Sequence, residues 1–314
     1  MPPVLCHTNS MKNTHLEHPE DSVLLGKQSV QDTINYLRNC KGYCSVKYDG
    51  SPAIVWGTCP ETGNRFVGTK SVFNKVKVKI NYTHADIEKN HSNNEKVAAI
   101  LHTCLETLPW VEGIHQCDFI GYGGKSTFAP NTITYDFVSE DVLRASIVVV
   151  HHTSYDGTSF RELEANFVDN SLGNLLNTNS SVHFVNPDAQ FTSRRRRIDY
   201  ILGLASVVCN FVRYPTEKEV ANLKIAVNKC IREGRKVDCL SGNLLLLFNL
   251  ISQVKMLLME GIVVTGEQVD ARIDYGNDYV SGHEGYVMTN KFGTYKLVNR
   301  EVFSHHNFTK PRDW

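Results

Sequence analysis

Ser45-Val46-Lys47-Tyr48-Asp49-Gly50-Ser51-Pro52-Ala53-Ile54-Val55-Trp56-Gly57 is a β-forming run holding a Lys-x-Asp-Gly tetrapeptide. Its apolar flanks predict two strands, so an amine, a carboxylate and a glycine stand where they meet. A lysine amine, with an ordinary pKa of about 10.4, is a poor nucleophile at neutral pH. Desolvation or a nearby cation disfavours the ammonium and makes it useful. Asp49 can hold a metal or orient that amine, and Gly50 lets backbone approach a phosphate closely. Lys47 is the first candidate for chemistry.

Outward from this run, Asp21-Ser22 followed by Val30, Ile34 and Leu37 predicts a helix. Downstream, a turn at Pro60–Asn64 returns the chain into Arg65–Lys70. Asn90 to Leu108 reads as a helix with Val97, Ile100, Leu101, Cys104 and Leu105 on one face. Gln116–Tyr122, Ile133–Phe137 and Ile147–Thr153 read as strands. From Phe191 to Glu260 the pattern turns helical three times, over Ile198–Phe211, Glu217–Glu233 and Leu240–Met259. Strands return at Tyr279–Met288 and Thr294–Phe303. The simplest layout is a β-rich α+β body interrupted by a helical block.

Four further patterns follow the tetrapeptide in order. Phe66-Val67-Gly68-Thr69-Lys70-Ser71 ends a strand on a lysine. Gln116-Cys117-Asp118-Phe119-Ile120-Gly121 places an acid before an apolar residue. His283-Glu284-Gly285-Tyr286-Val287-Met288 offers a second acid, and Gly293-Thr294-Tyr295-Lys296-Leu297-Val298 another lysine. Together these runs resemble motifs I, III, IV and V of the covalent nucleotidyltransferases, the superfamily of ATP-dependent RNA and DNA ligases and mRNA-capping enzymes. The leader from His15 to Leu37, with Asn131-Thr132-Ile133 and Val149–Thr153, further resembles ligase-like proteins of marine tailed phages.

The resemblance implies an ATP-grasp-like ligase adenylation domain of antiparallel sheets with an all-helical insertion. It would run over residues 1–186 and 261–314, with the insertion at 187–260. Only 18 residues follow Lys296, so no C-terminal OB domain is expected. Lys47 is implied as the nucleophile that attacks ATP. Val46, Asp49, Lys70, Asp118, His151, Glu284 and Lys296 are implied as nucleotide contacts, with Glu284 also serving Mg²⁺ or Mn²⁺. Tyr135 and Phe137 follow motif III at a range that would suit the adenine-stacking residue, but the strand Ile147–Val150 matches better and would put His151 or His152 against the base. The implied activity is polynucleotide ligation, RNA favoured over DNA, joining RNA, DNA or hybrid ends through a lysyl-AMP. The alternatives are a capping-type guanylyltransferase, or an inactive nucleic-acid-binding or virion protein of the same fold.

The chain departs from the family at Pro52, where ligases of the DNA type usually carry arginine, and at Asp118, where glutamate is usual. One lysine stands in motif V, with Lys291 as the nearest second charge. Glu260-Gly261 competes with Glu284-Gly285, but it closes an apolar helix, where glycine is the expected stop. Arg194–Arg197 opens the helical block, where cations oppose the helix dipole. That mismatch favours a phosphate partner. His15 and His18 read as surface residues.

Thirty-three basic and 33 acidic residues balance, so any nucleic-acid contact must be local. The apolar fraction of 41% and charged fraction of 21% are those of a soluble globular protein. Nine cysteines without framework spacing suit a reducing compartment. Cys40 and Cys44 read as structural thiols. No signal-peptide core and no unbroken apolar run of membrane-spanning length is evident. The expectation is a monomeric cytoplasmic protein without a membrane partner, and the phage resemblance implies action inside a host cell.

Overall fold

The computed structural model describes residues 16–167, 181–192, 196–275 and 278–303. They fall into two compact units. The mixed unit comprises Leu16–Lys47, Asp188–Thr265 and the chain from Gly282. The β unit comprises Tyr48–Pro187 and Gly266–Ser281.

The mixed unit opens with a 3-10 turn at Pro19–Leu24, then α1 (Lys27–Arg38) and β1 (Tyr43–Lys47). The β unit follows with β2 (Ala53–Thr58), β3 (Arg65–Thr69), α2 (His84–His91), α3 (Glu95–Thr107) and β4 (Ile114–Tyr122). It continues through β5 (Thr127–Phe128), β6 (Thr134–Phe137), α4 (Asp141–Arg144), β7 (Ile147–Asp156), β8 (Glu164–Phe167) and β9 (Val182–Phe184). The mixed unit resumes with β10 (Asp188–Phe191), α5 (Arg196–Val208), α6 (Glu217–Arg232), α7 (Gly242–Met259) and β11 (Ile262–Val264). β12 (Val269–Tyr275) and β13 (Asp278–Ser281) belong to the β unit, and the hairpin β14 (Gly285–Asn290) and β15 (Gly293–Val298) to the mixed unit. The architecture is mixed α+β, with sheets that are antiparallel except where β9 joins β7.

In the mixed unit one sheet runs β11-β10-β1-β14-β15. The helix expected from Asp21 to Leu37 is split at Gly26, whose φ of 104° suits glycine. α1 buries Val30, Ile34, Tyr36 and Leu37. Tyr36 is tied to the hairpin, its hydroxyl donating to the Met288 carbonyl at 2.7 Å. Asn290 Nδ2 donates in return to the Tyr36 carbonyl at 3.1 Å. The helices between Asp188 and Thr265 thus share a unit with β1 and the β14–β15 hairpin.

α7 is, among the described residues, the helix apolar and long enough by composition to cross a membrane. Here it is a core helix that buries Leu247, Ile251, Val254 and Leu258. Its Lys255 is buried too, 2.7 Å from Glu20 Oε1 in the 3-10 turn. Arg300 joins them, with Nη1 3.2 Å from Glu20 and 2.8 Å from Asp21.

In the β unit the larger sheet runs β3-β2-β4-β7-β8. α3 begins at an Asn94 cap, whose side chain accepts from the Val97 amide. Its Leu101 and Cys104 pack on Ile54, Trp56, Cys117 and Val149 of one sheet face. Val55, Phe66, Ile114 and Tyr155 form a second core. A smaller sheet runs β13-β12-β6-β5.

Candidate active site

β1 and the β14–β15 hairpin bring three of the expected residues together within the mixed unit. Lys47 lies opposite Gly285, and Val287 lies opposite Lys296. Cross-strand partners share a face, and so do residues two apart on a strand. Lys47 and Lys296 therefore project from the same face, and Lys47 Nζ donates to Glu284 Oε2 in a close ion pair. Gly285 makes the strand approach possible: at its φ of 152°, an added Cβ would lie 2.0 Å from the Leu297 carbonyl oxygen. Val46 points the other way, on the face of Met288 and Leu297, and is buried. Its side chain is core, and only its backbone borders the lysine face.

The site is rich in positive charge. Burial, and then Lys47 beside it, push the Lys296 amine below its ordinary range. Arg300 adds a further repulsion at Lys296. Arg300 is thus a further basic group near Lys296, in addition to Lys47. Lys291 sits in the turn at the other end of the hairpin, exposed, with Nζ 5.0 Å from the Phe292 ring centroid.

The leader supplies His18, which the sequence reading left on the surface. Lys296 N donates to the Glu17 carbonyl at 3.1 Å, fixing the leader along β15. His18 is half-buried, and its Nδ1 is enclosed without a hydrogen-bond partner. Burial first, then Arg300, Lys296, Lys255 and Lys47, hold the ring well below the usual histidine range. The signal for His18 and Arg300 was slight, because no spacing rule links residues 18–21 to residue 300. His15 lies outside the described residues.

Glu260 is exposed and closes α7, its amide bonded to the Met256 carbonyl. A divalent cation takes few protein carboxylates when substrate phosphates complete its shell. Glu284 fits that role as a single ligand, and among the described residues no group of three His, Cys, Asp or Glu could hold a metal.

The remaining expected residues lie in the β unit. Both carboxylate oxygens of Asp49 accept hydrogen bonds: Oδ1 from Asn131 Nδ2 at 3.0 Å and Oδ2 from the Thr132 amide at 3.1 Å. Asp49 N donates to the Tyr135 hydroxyl at 2.7 Å. Asp49 thereby ties its own loop to residues 131–135. Gly50 is needed for a protein contact, since an added Cβ would lie 2.7 Å from Asp118 Cβ. Lys70 is exposed at the start of a 3-10 turn.

Asp118 has His152 beside it, Oδ1 to Nε2 at 3.6 Å. His151 instead faces the helix-covered interior, its ring edge-on to Trp56 with centroids 5.7 Å apart. Only 6% exposed, it has no open ring face for a base. Burial, then His115 and His152, push it down to about 3. The histidine beside Asp118 is His152.

Of the arginine run, Arg194 and Arg195 lie outside the described residues, while Arg196 and Arg197 are exposed in the first turn of α5. No disulfide joins the eight described cysteines. Burial pushes the Cys44 thiol up to about 12, which suits a core residue better than a metal ligand.

No curated protein and no solved structure matches the chain. A family model matches residues 13–242 and 217–312, and the chain belongs to that family, described as a family of unknown function, DUF6267.

Proposed function

We propose that this protein is an ATP-dependent polynucleotide ligase, built on a nucleotidyltransferase adenylation fold and working through a lysyl-AMP at Lys47. The observation that carries this reading is the convergence of Lys47, Glu284 and Lys296. Glu284, just before β14 and 237 positions from Lys47 in the chain, is in contact with it, and Lys296 on β15 lies on the same sheet face.

The chemistry follows from the groups present. Lys47 Nζ attacks only after losing a proton, and Glu284 is the base in contact with it. A bond forms from Nζ to the α-phosphorus of ATP, the bond to the β-phosphate oxygen breaks, and pyrophosphate leaves. Lys296 supports the charge that builds on the phosphoryl oxygens. Mg²⁺ or Mn²⁺, held through Glu284 and phosphate oxygens, would add further charge compensation. AMP then passes to a nucleic-acid 5′-phosphate, and a 3′-hydroxyl displaces it to close the phosphodiester. Arg196 and Arg197 are candidates for the RNA or DNA backbone.

Intact-mass spectrometry after incubation with ATP and Mg²⁺ tests the reading. The expected result is a gain of one AMP that is lost in Lys47→Ala, with the variant's circular dichroism unchanged. A GMP adduct formed with GTP instead would make the protein a capping-type enzyme. The absence of any adduct on the folded wild-type chain would refute covalent nucleotidyl transfer.

A further inference from the structure

Between Glu61 and Asp86 the chain holds no acidic residue, yet it carries Arg65, Lys70, Lys75, Lys77 and Lys79. In a chain whose 33 basic and 33 acidic residues cancel, this is a local excess of positive charge. Asp86 does not offset it, being taken up with Thr83 in the capping box of α2. Two of the cations are spent inside the fold: Arg65 Nη2 donates to the Leu108 carbonyl and Lys79 Nζ to the Asn90 carbonyl. Lys70, Lys75 and Lys77 are exposed, and their side chains make no ion pair or hydrogen bond among the described residues.

The segment that presents these lysines belongs to the β unit and is held at its base. Val67 and Asn81 exchange two backbone hydrogen bonds, at 2.9 and 3.1 Å. Buried Asn81 adds Nδ2 to the Val67 carbonyl at 2.9 Å. Lys79 N closes the loop on the Ser71 carbonyl at 3.4 Å. Val72 is tucked against Gly68, where an added Cβ would lie 2.5 Å from Val72 Cγ1. The Phe73 ring packs on Tyr155 with centroids 4.9 Å apart. Beyond that base, residues 74–78 are all exposed. Lys77 there holds a left-handed φ of 57°, uncommon outside glycine. A protruding loop on a fixed base presents its cations with less left to order on binding.

We propose that the loop of residues 74–78 is a polynucleotide-binding surface, on which Lys75 and Lys77, with Lys70 beside its base, contact the phosphodiester backbone of RNA or DNA. This rests on the proposed action on polynucleotides and is independent of the lysyl-AMP step. Charge complementarity selects the partner. The loop's apolar residues are Val76 and Val78, 77% and 46% exposed. Surfaces that enter a membrane interface use Trp, Phe or Leu, and protein interfaces are anchored by Trp, Tyr or Arg. Residues 74–78 contain none of these. Lysines are compact point charges that suit phosphates. Contacts of that kind hold a strand without reading its bases.

Fluorescence anisotropy of labelled RNA and DNA, single-stranded and duplex, tests this on the full chain without ATP, from about 50 to about 200 mM salt. The wild type should bind without sequence preference and weaken as salt rises. Lys75→Ala with Lys77→Ala should flatten the log–log salt slope by about 1.8 on duplex and about 1.4 on single strands. Its affinity should fall roughly 10-fold at the lowest salt, with circular dichroism unchanged. Lys75→Arg with Lys77→Arg should keep the wild-type slope and affinity. Should the alanine variant fail to fold, Lys75→Gln with Lys77→Gln takes its place with the same expected slope. Tighter binding of RNA than DNA, or the reverse, supports the proposal equally and names the strand held. A wild type that binds no polynucleotide overturns it, and so does an alanine variant with wild-type slope and affinity. A variant that keeps its polynucleotide affinity but loses binding to phosphatidylserine vesicles also overturns it, assigning the loop to a membrane surface. Because ATP is absent, each outcome stands whether or not the wild type forms an AMP adduct, so the two readings fail separately.

Discussion

Lys47 and Asp49 are separated by one residue, yet Lys47 belongs to the mixed unit and Asp49 to the β unit. Around Lys47 the groups are ionisable: Glu284 in contact, Lys296 on the same face, and His18 with an enclosed ring nitrogen. Around Asp49 the groups are neutral and satisfied: an asparagine side chain, a backbone amide and a tyrosine hydroxyl. Buried hydrogen bonds that are complete fix a conformation. Charges crowded together in this way mark a candidate functional site. The tetrapeptide looks like one motif, yet its two ends are held differently, Lys47 in an ion pair and Asp49 in neutral hydrogen bonds.

The largest test of that contrast lies beneath the lysine site. Glu20→Gln should cost about 3–5 kcal/mol in denaturant unfolding, because buried Lys255 would lose its ion-pair partner and Arg300 would keep only Asp21. Burial alone would raise the Glu20 carboxyl, but Lys255 and Arg300 overcome it and hold it below its ordinary value. Its contribution is present above the unfolded carboxyl pKa of about 4.3 and is lost as pH falls towards the folded value. The variant's acid limb should be correspondingly flatter. If Glu20→Gln is as stable as wild type, the charged cluster is not the mixed unit's keystone.

Glu284→Ala should lower adenylation by about 100-fold or more, the scale of losing one preorganised electrostatic group. Glu260→Ala should leave it within about 2-fold and change stability little, as for an exposed position. Radiolabel transfer from ATP measures both, and equal losses in two folded variants would dissolve the distinction between strand-end and helix-end glutamates.

His151→Leu probes the β unit's interior. A buried ring pushed down to about 3 stays neutral in the fold, whereas the unfolded ring takes up a proton below about pH 6.5. Wild-type stability should therefore be complete above about pH 6.5 and fall as pH drops towards 3. The slope is about 1.4 kcal/mol per unit. The leucine variant should lose this slope and gain about 2 kcal/mol on wild type near pH 5. Parallel stability curves for the two proteins would show that His151 does not titrate as a core residue.

Asp49→Asn should have the smallest effect, about 1–2 kcal/mol in thermal unfolding, the cost of weakening charge-assisted hydrogen bonds. The KM for ATP should stay near wild type, because both oxygens are occupied by residues 131 and 132. A large rise in KM without loss of stability would return Asp49 to the nucleotide.

Much of the architecture was legible locally. The strand at Ile147 and the helices at Glu217 and Gly242 follow from β-branched runs and helical periodicity. Gly26 was harder, because the apolar spacing runs straight across it and only its φ of 104° breaks the helix. His151 and His152 were indistinguishable by type. Alternation put them on opposite faces, but only the covering α3 decided which face was interior. Arg300 was invisible beside Lys291, since sequence distance favours Lys291 and the hairpin's direction carries it away.

The sequence by itself determined many of the elements and the α+β class, and its resemblance to a known superfamily marked Lys47, Glu284 and Lys296 as a set worth testing. Those properties are local: periodicity, turn chemistry and residue type act over a few positions. Tertiary structure alone decided that these three meet, that Asp49 is spent on its own loop, and that His18 lies among cations. Charge compensation, burial and cross-strand register depend on residues hundreds of positions apart, and no local pattern encodes which of them become neighbours.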